Sequence, residues 1–223
     1  MATRELVRTG SDPNGGAAAR RAWVESRHAG AVAELLARGV PFDVAWDVAV
    51  PLVSHWARET GWGRSEWNYA LGNIRAGSSW QGDVHFLQGG DDATPRPYRA
   101  YATLAEGLRD TFDLLTATRY RRALGDLTAS VRAGTRNAVT YGGATFEVVG
   151  DPVGWYAALM RAGWHPYSDA SLNDFRGVLK TVSGWVGRPS PTVGVFVGAG
   201  VGAALLALVA LLNRRLGAST VTE

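Results

Sequence analysis

The chain has 223 residues, of which 46% are hydrophobic, and carries a formal net charge of +3. This length favours one domain with room for a small appendage, and the composition supports a buried core. Cysteine is absent, which excludes disulfides, zinc–thiolate sites and thiol nucleophiles. No basic block with interleaved aromatic residues occurs, so nucleic-acid binding is not expected. No ligand cluster suggests a metal or another cofactor.

The N-terminal part of the chain predicts an arm followed by a helix. Residues 1–16 contain no apolar run of the signal-peptide type, and we expect a flexible arm there. Apolar residues at helical spacing then predict an amphipathic helix over 17–38, which Gly39 and Pro41 end. His28 lies on this helix without a second metal ligand at a partner spacing. It is predicted to be a surface or interface residue.

A second, strongly apolar helix is predicted from Pro41 to Glu59, with a bend at Pro51. Glu59 lies in its last turn, where the helix dipole and partial burial both favour the neutral acid and raise the pKa of the carboxyl. A general acid needs such a pKa. The alternative is an ordinary ion pair with Arg58, Arg64 or another arginine. His55 lies four residues earlier on the same face, as a packed core residue or as a group that tunes Glu59.

The region that follows predicts loops and then a return to helix. Residues 61–100 are rich in glycine, serine, proline and aromatic residues and lack periodicity, which is typical of loops that wall a cleft. A core-packing helix is predicted over 101–125, with Thr103 and Glu106 as a capping box.

The last part of the domain predicts a hairpin and two helices. A short hairpin or extended loop with a Gly-Gly turn is expected over 128–150. Asp151 and the proline after it resemble the start of a helix that ends near Gly163. A final helix is predicted over 171–185, with Asp169 as a cap.

The composition changes after a short linker at 188–191. The run 192–212 contains no charged side chain, and at about 1.5 Å per residue it has the length of a bilayer core. We therefore predict a transmembrane helix there, a polar tail over 213–223 and a membrane-anchored localisation. Glycines recur in this run at every fourth position, which favours homo-oligomerisation through close helix packing. They are Gly194, Gly198 and Gly202.

Four motifs in sequence order resemble one family. Glu59-Thr-Gly-Trp-Gly-Arg-Ser, with the following Asn68-Tyr-Ala-Leu-Gly-Asn-Ile-Arg, is similar to the catalytic core of the glucosaminidase family that includes the flagellar rod hydrolase and bacterial autolysins. The other matches are Tyr98-Arg-Ala-Tyr-Ala-Thr-Leu-Ala-Glu-Gly-Leu, Arg119-Tyr and Ala162-Gly-Trp-His-Pro-Tyr-Ser-Asp. The resemblance covers roughly residues 40 to 185.

This resemblance implies a lysozyme-like, mainly α-helical domain over 17–187, with a loop-rich or short β lobe, that cleaves peptidoglycan. Glu59 and Tyr120 would be the catalytic residues, with Glu59 as the general acid and Tyr120 lining the cleft opposite it. Aromatic and amide side chains would bind the glycan, although packing beneath the loop is the alternative for several of them. The substrate-binding candidates are Trp62, Asn68, Tyr69, Asn73, Trp80 and Tyr101, and the candidates for a second carboxylate are Asp83, Asp91 and Asp92.

The resemblance leaves the mechanism and the setting open. Two carboxylates about 5–5.5 Å apart imply retention and about 6.5–9.5 Å apart inversion, whereas a lone acid permits substrate assistance or an anhydro product. An N-acetylglucosaminidase is the first expectation, with a muramidase or lytic transglycosylase as alternatives. A catalytically inactive wall-binding or structural membrane protein is a different class, as is a holin-like protein. Wall remodelling, lysis and delivery in a phage or injection particle are the settings considered.

Overall fold

The computed structural model of the chain describes residues 2–88 and 94–187. This part is mainly helical and contains two antiparallel hairpins. In chain order the elements are α1 (Gly16–Ala37), α2 (Phe42–Glu59), β1 (Asp83–Leu87), β2 (Arg96–Ala100), α3 (Leu104–Thr116), a 3-10 turn (Thr118–Tyr120), α4 (Arg121–Arg132), β3 (Arg136–Tyr141), β4 (Ala144–Val149), α5 (Pro152–Arg161) and α6 (Asp169–Val186).

Helix α2 lies at the centre of the domain. All of its residues from Asp47 to Ala57 except Val50 are buried, as expected for a helix that is apolar around most of its circumference. Helices α1, α4, α5 and α6 pack against it. Burial of a side chain such as Leu52 stabilises the fold by about 1.5–3 kcal/mol. The residues at the C-terminal end of α2 therefore project from a rigid support.

The two hairpins lie at separate places in the chain. Strand β1 pairs with β2 so that Asp83 is opposite Ala100, and this hairpin lies inside the region predicted as loops. Strand β3 pairs with β4 around a two-residue turn at Gly142 and Gly143, whose φ angles are +58° and +76°. Positive φ at both positions favours glycine in such a turn. A short hairpin or extended loop was predicted over 128–150; the structure has the hairpin over 136–149, whereas residues 128–132 belong to α4.

The sequence predicts one helix over 101–125, whereas the structure has α3, a 3-10 turn and α4 in succession. Thr103 caps α3 through its hydroxyl, which accepts from Glu106 N, as the capping box predicts. If a straight helix continued through the break, the apolar stripes on its two halves would differ by roughly 120°. The break turns both stripes toward the core. They comprise Leu108, Phe112 and Leu115 on α3, and Leu124, Leu127 and Val131 on α4.

The other predicted helices agree with α1, α2, α5 and α6 to within a residue or two at each end. Asp151 caps α5 by accepting from Gly154 N. The cap of α6 is Ser168 rather than Asp169. His28 was expected at the surface or in an interface. It is 2% exposed, because it lies on the same stripe of α1 as Val24.

The segment before α1 also differs from its prediction. A flexible arm was expected over 1–16, whereas Thr3 forms a parallel bridge with Val84 and Arg8 an antiparallel bridge with Trp67. Residues 2–11 therefore lie against β1 and against the loop that follows α2.

The transmembrane part of the fold prediction is corrected. Over residues 2–88 and 94–187, no helix combines the length and the apolar composition needed to cross a bilayer. The run 192–212, with Gly194, Gly198 and Gly202, lies outside the described residues. The described residues therefore form a mainly helical domain with two hairpins. The prediction of a membrane-anchored localisation is withdrawn with the transmembrane helix.

Candidate active site

Glu59 is the last residue of α2, where the central helix reaches the surface. Its side chain is 18% exposed. Thr60 ends the helix: its hydroxyl donates to Trp56 O at 2.7 Å and accepts from Gly63 N at 2.9 Å. Thr60 N also donates to Trp56 O at 2.9 Å, so Thr60 joins the last turn of the helix to the loop that follows it. The chain therefore turns sharply after Glu59 and leaves its carboxyl at the rim of the core.

Three basic side chains surround the Glu59 carboxyl. Arg58 donates from Nη1 to Oε1 at 2.8 Å, while His165 Nε2 and His55 Nδ1 lie 3.7 Å and 3.9 Å from the same oxygen. Arg58 is held in turn by a bond from Nη2 to Ser171 Oγ at 2.9 Å. The ion pair with Arg58 considered from the sequence is therefore present, whereas Arg64 donates from Nε to Gly61 O instead.

Burial raises the pKa of the Glu59 carboxyl above its usual value, and this effect exceeds the opposing charges of Arg58 and His165 and the hydrogen bond from Arg58. The expected direction of the shift is confirmed. Burial, rather than the helix dipole, is its largest cause, because removing the carboxylate from water disfavours its charged form. The carboxyl thus combines a raised pKa with a hydrogen-bonded cation, a combination suited to giving up a proton.

The sequence analysis did not identify Tyr156 and His165 as partners of Glu59. His165 Nδ1 donates to Pro166 O at 2.9 Å, so the neutral ring leaves Nε2 to accept from the Tyr156 hydroxyl at 2.7 Å. Burial raises the pKa of Tyr156, which remains a hydroxyl donor. Tyr156 lies on α5 and His165 in the segment after it, so their positions near Glu59 depend on how α5 packs on α2. No local periodicity indicates that packing.

His55 and Tyr120 are linked to the site through Trp164. His55 is fully buried, and burial lowers its pKa to about 3, so the ring is neutral. The Trp164 ring packs edge-on against His55 at 4.9 Å and against Tyr120 at 5.3 Å, measured between ring centroids. Tyr120 is itself 5% exposed. It therefore lies beside the site as part of an aromatic cluster, and its assignment as a cleft residue stays a prediction.

The loop over 61–73 has an unusual backbone. Four of its non-glycine residues have positive φ: Trp62 at 65°, Asn68 at 48°, Tyr69 at 54° and Asn73 at 49°. Such conformations cost of order 1–3 kcal/mol each and concentrate at functional sites. All four are among the predicted substrate-binding residues. Asn73 is tied directly to the acid residue, because its Nδ2 donates to Glu59 O at 3.1 Å.

The side chains of this loop are largely engaged by the protein. Trp62 packs on Trp185 of α6, with 5.4 Å between ring centroids. Asn68 is buried, and its amide bonds backbone groups of residues 5 and 7. Tyr69 remains partly exposed. These contacts agree with the alternative of packing beneath the loop for Trp62 and Asn68. Tyr69 and Asn73 are half-buried and stay candidates for glycan binding.

A second group of predicted residues lies in a separate cleft of about 370 Å³. Trp80, Asp83 and Tyr101 line it, and Glu59 does not. Tyr101 donates from its hydroxyl to Asp110 at 2.5 Å, and Asp83 pairs with Arg4 at 2.6 Å. The structure thus divides the predicted residues between the Glu59 site and this cleft. Asp91 and Asp92 lie outside the described residues.

Glu66 is a carboxylate that the sequence analysis did not single out. It is fully buried and accepts from Arg27 Nε at 3.1 Å, Arg27 Nη2 at 2.5 Å, Trp23 Nε1 at 2.9 Å and Thr9 Oγ1 at 3.2 Å. This full set of donors is typical of a structural carboxylate. Among the described residues, no three histidine, aspartate or glutamate side chains are grouped to hold a metal ion.

Comparison with known proteins gives structural neighbours only. No protein-family model matches the sequence, and a search of curated proteins finds no match. The crystal structure of a peptidoglycan hydrolase from Sphingomonas sp. A1 has a TM-score of 0.50 and 23% identity, covering 77% of this chain and 97% of the other. A mutant of a peptidoglycan hydrolase from the same organism has a TM-score of 0.50 and 24% identity, and the match covers 74% of this chain and 97% of the other.

The glycoside hydrolase domain of Salmonella typhimurium FlgJ is also a neighbour, with a TM-score of 0.46, 18% identity and coverage of 72% of this chain and 87% of that domain. The predicted membership of the glucosaminidase family stays a prediction. The Sphingomonas neighbours are peptidoglycan hydrolases, and the described part of this chain shares their fold.

Proposed function

We propose that this protein hydrolyses β-1,4 glycosidic bonds in the glycan of peptidoglycan, with Glu59 as the proton donor. The observation that carries the proposal is the Glu59 carboxyl itself. It has a raised pKa, stands at the end of a buried helix and adjoins a loop with four residues of positive φ. The fold shared with peptidoglycan hydrolases supports the choice of substrate.

In the proposed reaction, protonated Glu59 donates its proton to the leaving glycosidic oxygen while the bond from that oxygen to C1 of the sugar breaks. A water molecule then supplies the hydroxyl that bonds to C1, and its other proton returns to the Glu59 carboxylate. The carboxylate left behind is stabilised by the Arg58 guanidinium at 2.8 Å. His165 Nε2 lies 3.7 Å from the same carboxyl oxygen and borders it on another side. Tyr156 orients the His165 ring through its 2.7 Å bond.

Residues of the 61–73 loop bind the glycan in this proposal. The partly exposed Tyr69 offers a ring face to a sugar, and Asn73 lies next to the acid residue. Tyr120, supported by Trp164, is proposed to border the same cleft. Cleavage on the reducing side of N-acetylglucosamine is the preferred specificity, on the strength of the sequence motifs beginning at Glu59.

The test is digestion of purified peptidoglycan by the full-length chain, with the products identified by mass spectrometry. Wild type is compared with Glu59→Gln and with the control Asp126→Asn, whose carboxylate is 75% exposed on α4. Removal of a general acid lowers the rate by about 10²–10⁴-fold, whereas the control should match wild type. Reducing N-acetylglucosamine ends identify a glucosaminidase, reducing N-acetylmuramic acid ends a muramidase, and anhydro ends a lytic transglycosylase.

Two results would overturn the proposal. Equal activity of wild type and Glu59→Gln would remove Glu59 from the chemistry. If wild type cuts none of several types of cell wall but still co-sediments with them, the protein binds the wall and is not an enzyme that cleaves it.

A further inference from the structure

The segment before the first helix makes directed contacts along the active-site loop. Residues 2–11, here named the N-terminal strap, begin beside strand β1. Arg4 N donates to Val84 O at 2.8 Å, and Val84 N donates to Ala2 O at 2.9 Å. The Arg4 side chain pairs with Asp83 at 2.6 Å. These bonds fix the start of the strap on the β1–β2 hairpin.

The middle of the strap holds Asn68, one of the loop residues with positive φ. Asn68 N donates to Val7 O at 2.8 Å, and Val7 N donates to Asn68 Oδ1 at 3.0 Å. Asn68 Nδ2 also donates to Glu5 O at 3.0 Å. Backbone and side chain of this residue are therefore both bonded to the strap.

Thr9 connects the strap to the next loop residue and to the buried carboxylate. Its hydroxyl accepts from Tyr69 N at 2.7 Å and donates to Glu66 Oε1 at 3.2 Å. Its own N–H donates to Glu66 O at 3.2 Å, and its carbonyl accepts from Arg27 Nη2 at 2.8 Å. A single hydroxyl thus links the positive-φ backbone at Tyr69 to a carboxylate that is fixed in the core.

The end of the strap reaches the first turn of the loop. Ser11 Oγ donates to Trp62 O at 2.5 Å. A Cβ atom at Gly10 would lie only 1.8 Å from Gly63 O, so the two backbones meet where no side chain fits. The Arg8 guanidinium stacks 4.4 Å above the Trp67 ring. Trp62, Asn68 and Tyr69 are therefore each bonded to the strap.

Hydrophobic burial does not account for the position of the middle of the strap. Leu6 and Val7 are 41% and 56% exposed, whereas apolar side chains that anchor a segment are normally buried. The strap is held by hydrogen bonds to particular backbone groups of the loop. Such bonds determine conformation more than they add stability.

We propose that the N-terminal strap holds the 61–73 loop in the conformation that accepts the glycan, with Thr9 as the positioning residue for Tyr69. The identity of the ligand rests on the proposed function, while the control of the loop by the strap does not. The strap lies outside the region, roughly residues 40 to 185, that carries the family motifs.

The first test measures amide hydrogen exchange in the full-length chain, without substrate. Thr9→Val keeps the shape of the side chain and removes the hydroxyl, Thr9→Ser keeps the hydroxyl, and Thr128→Val removes a comparable hydroxyl from α4, where Thr128 donates to Leu124 O. Loss of the two hydroxyl bonds should speed exchange across residues 62–73 about tenfold in Thr9→Val, whereas Thr9→Ser and Thr128→Val should resemble wild type.

The second test measures kinetics on peptidoglycan fragments with the same variants. Thr9→Val should raise KM about tenfold and change kcat less than about twofold, and Thr9→Ser should restore the wild-type KM. Unchanged loop exchange in Thr9→Val, or equal effects of valine and serine, would overturn the strap proposal. Should Thr9→Val fail to fold, Ser11→Ala provides the same comparison at Trp62. An inactive wild type would refute the proposed function alone, because the exchange experiment still decides the role of the strap.

Discussion

The buried pair of Arg27 and Glu66 gives a quantitative test of how the active-site loop is supported. The side chains are 6% and 0% exposed. Arg27→Met removes two of the four donors to the Glu66 carboxylate and leaves it with Trp23 and Thr9. Breaking a buried pair in this way costs about 3–5 kcal/mol, because the remaining charge is buried without its counter-charge. That is a large part of the 5–15 kcal/mol expected for a domain.

The assay is urea unfolding followed by tryptophan fluorescence, with the free energy of unfolding obtained by linear extrapolation. The double variant Arg27→Met/Glu66→Leu removes both charges and should recover at least about 2 kcal/mol relative to Arg27→Met. The control Arg122→Met changes a side chain that is 92% exposed and should cost less than about 0.5 kcal/mol. A cost below about 1 kcal/mol for Arg27→Met would refute the reasoning. So would a double variant whose cost equals the sum of the costs of Arg27→Met and Glu66→Leu measured separately.

Three further predictions concern the site and its support. Arg58→Met removes a charge and a hydrogen bond that lower the Glu59 pKa, so the alkaline limb of the kcat/KM profile should move to higher pH; an unmoved limb would contradict this. Gly63→Ala puts a Cβ 2.5 Å from Trp23 Nε1 at a φ of +82° and should lower the thermal midpoint by several degrees in calorimetry. Burial lowers the pKa of His28 to about 4, so as the pH falls His28 is protonated in the unfolded state before it is protonated in the folded state. The free energy of unfolding should therefore fall by about 2 kcal/mol between pH 7 and pH 5. In urea unfolding at a series of pH values, His28→Gln should reduce that loss.

Local sequence signals predicted the elements whose boundaries are set locally. Asp151 and the proline after it start α5, and the Gly142-Gly143 pair turns the second hairpin, because capping and turn preferences act over a few residues. The break between α3 and α4 was missed, although the change in direction of the apolar stripe indicates it. The buried position of His28 was also missed, although its spacing from Val24 places it on the apolar stripe of α1.

By itself, the sequence determined the helical composition of the domain and the position of Glu59 at the end of a strongly apolar helix. Tertiary structure decided what surrounds that carboxyl: His165 approaches Glu59 from a distant part of the chain, and Arg27 reaches Glu66 across 39 residues. Thr9 lies 60 residues before Tyr69. Contacts at such separations leave no periodic or capping pattern, because they depend on how the helices pack and not on the preferences of neighbouring residues.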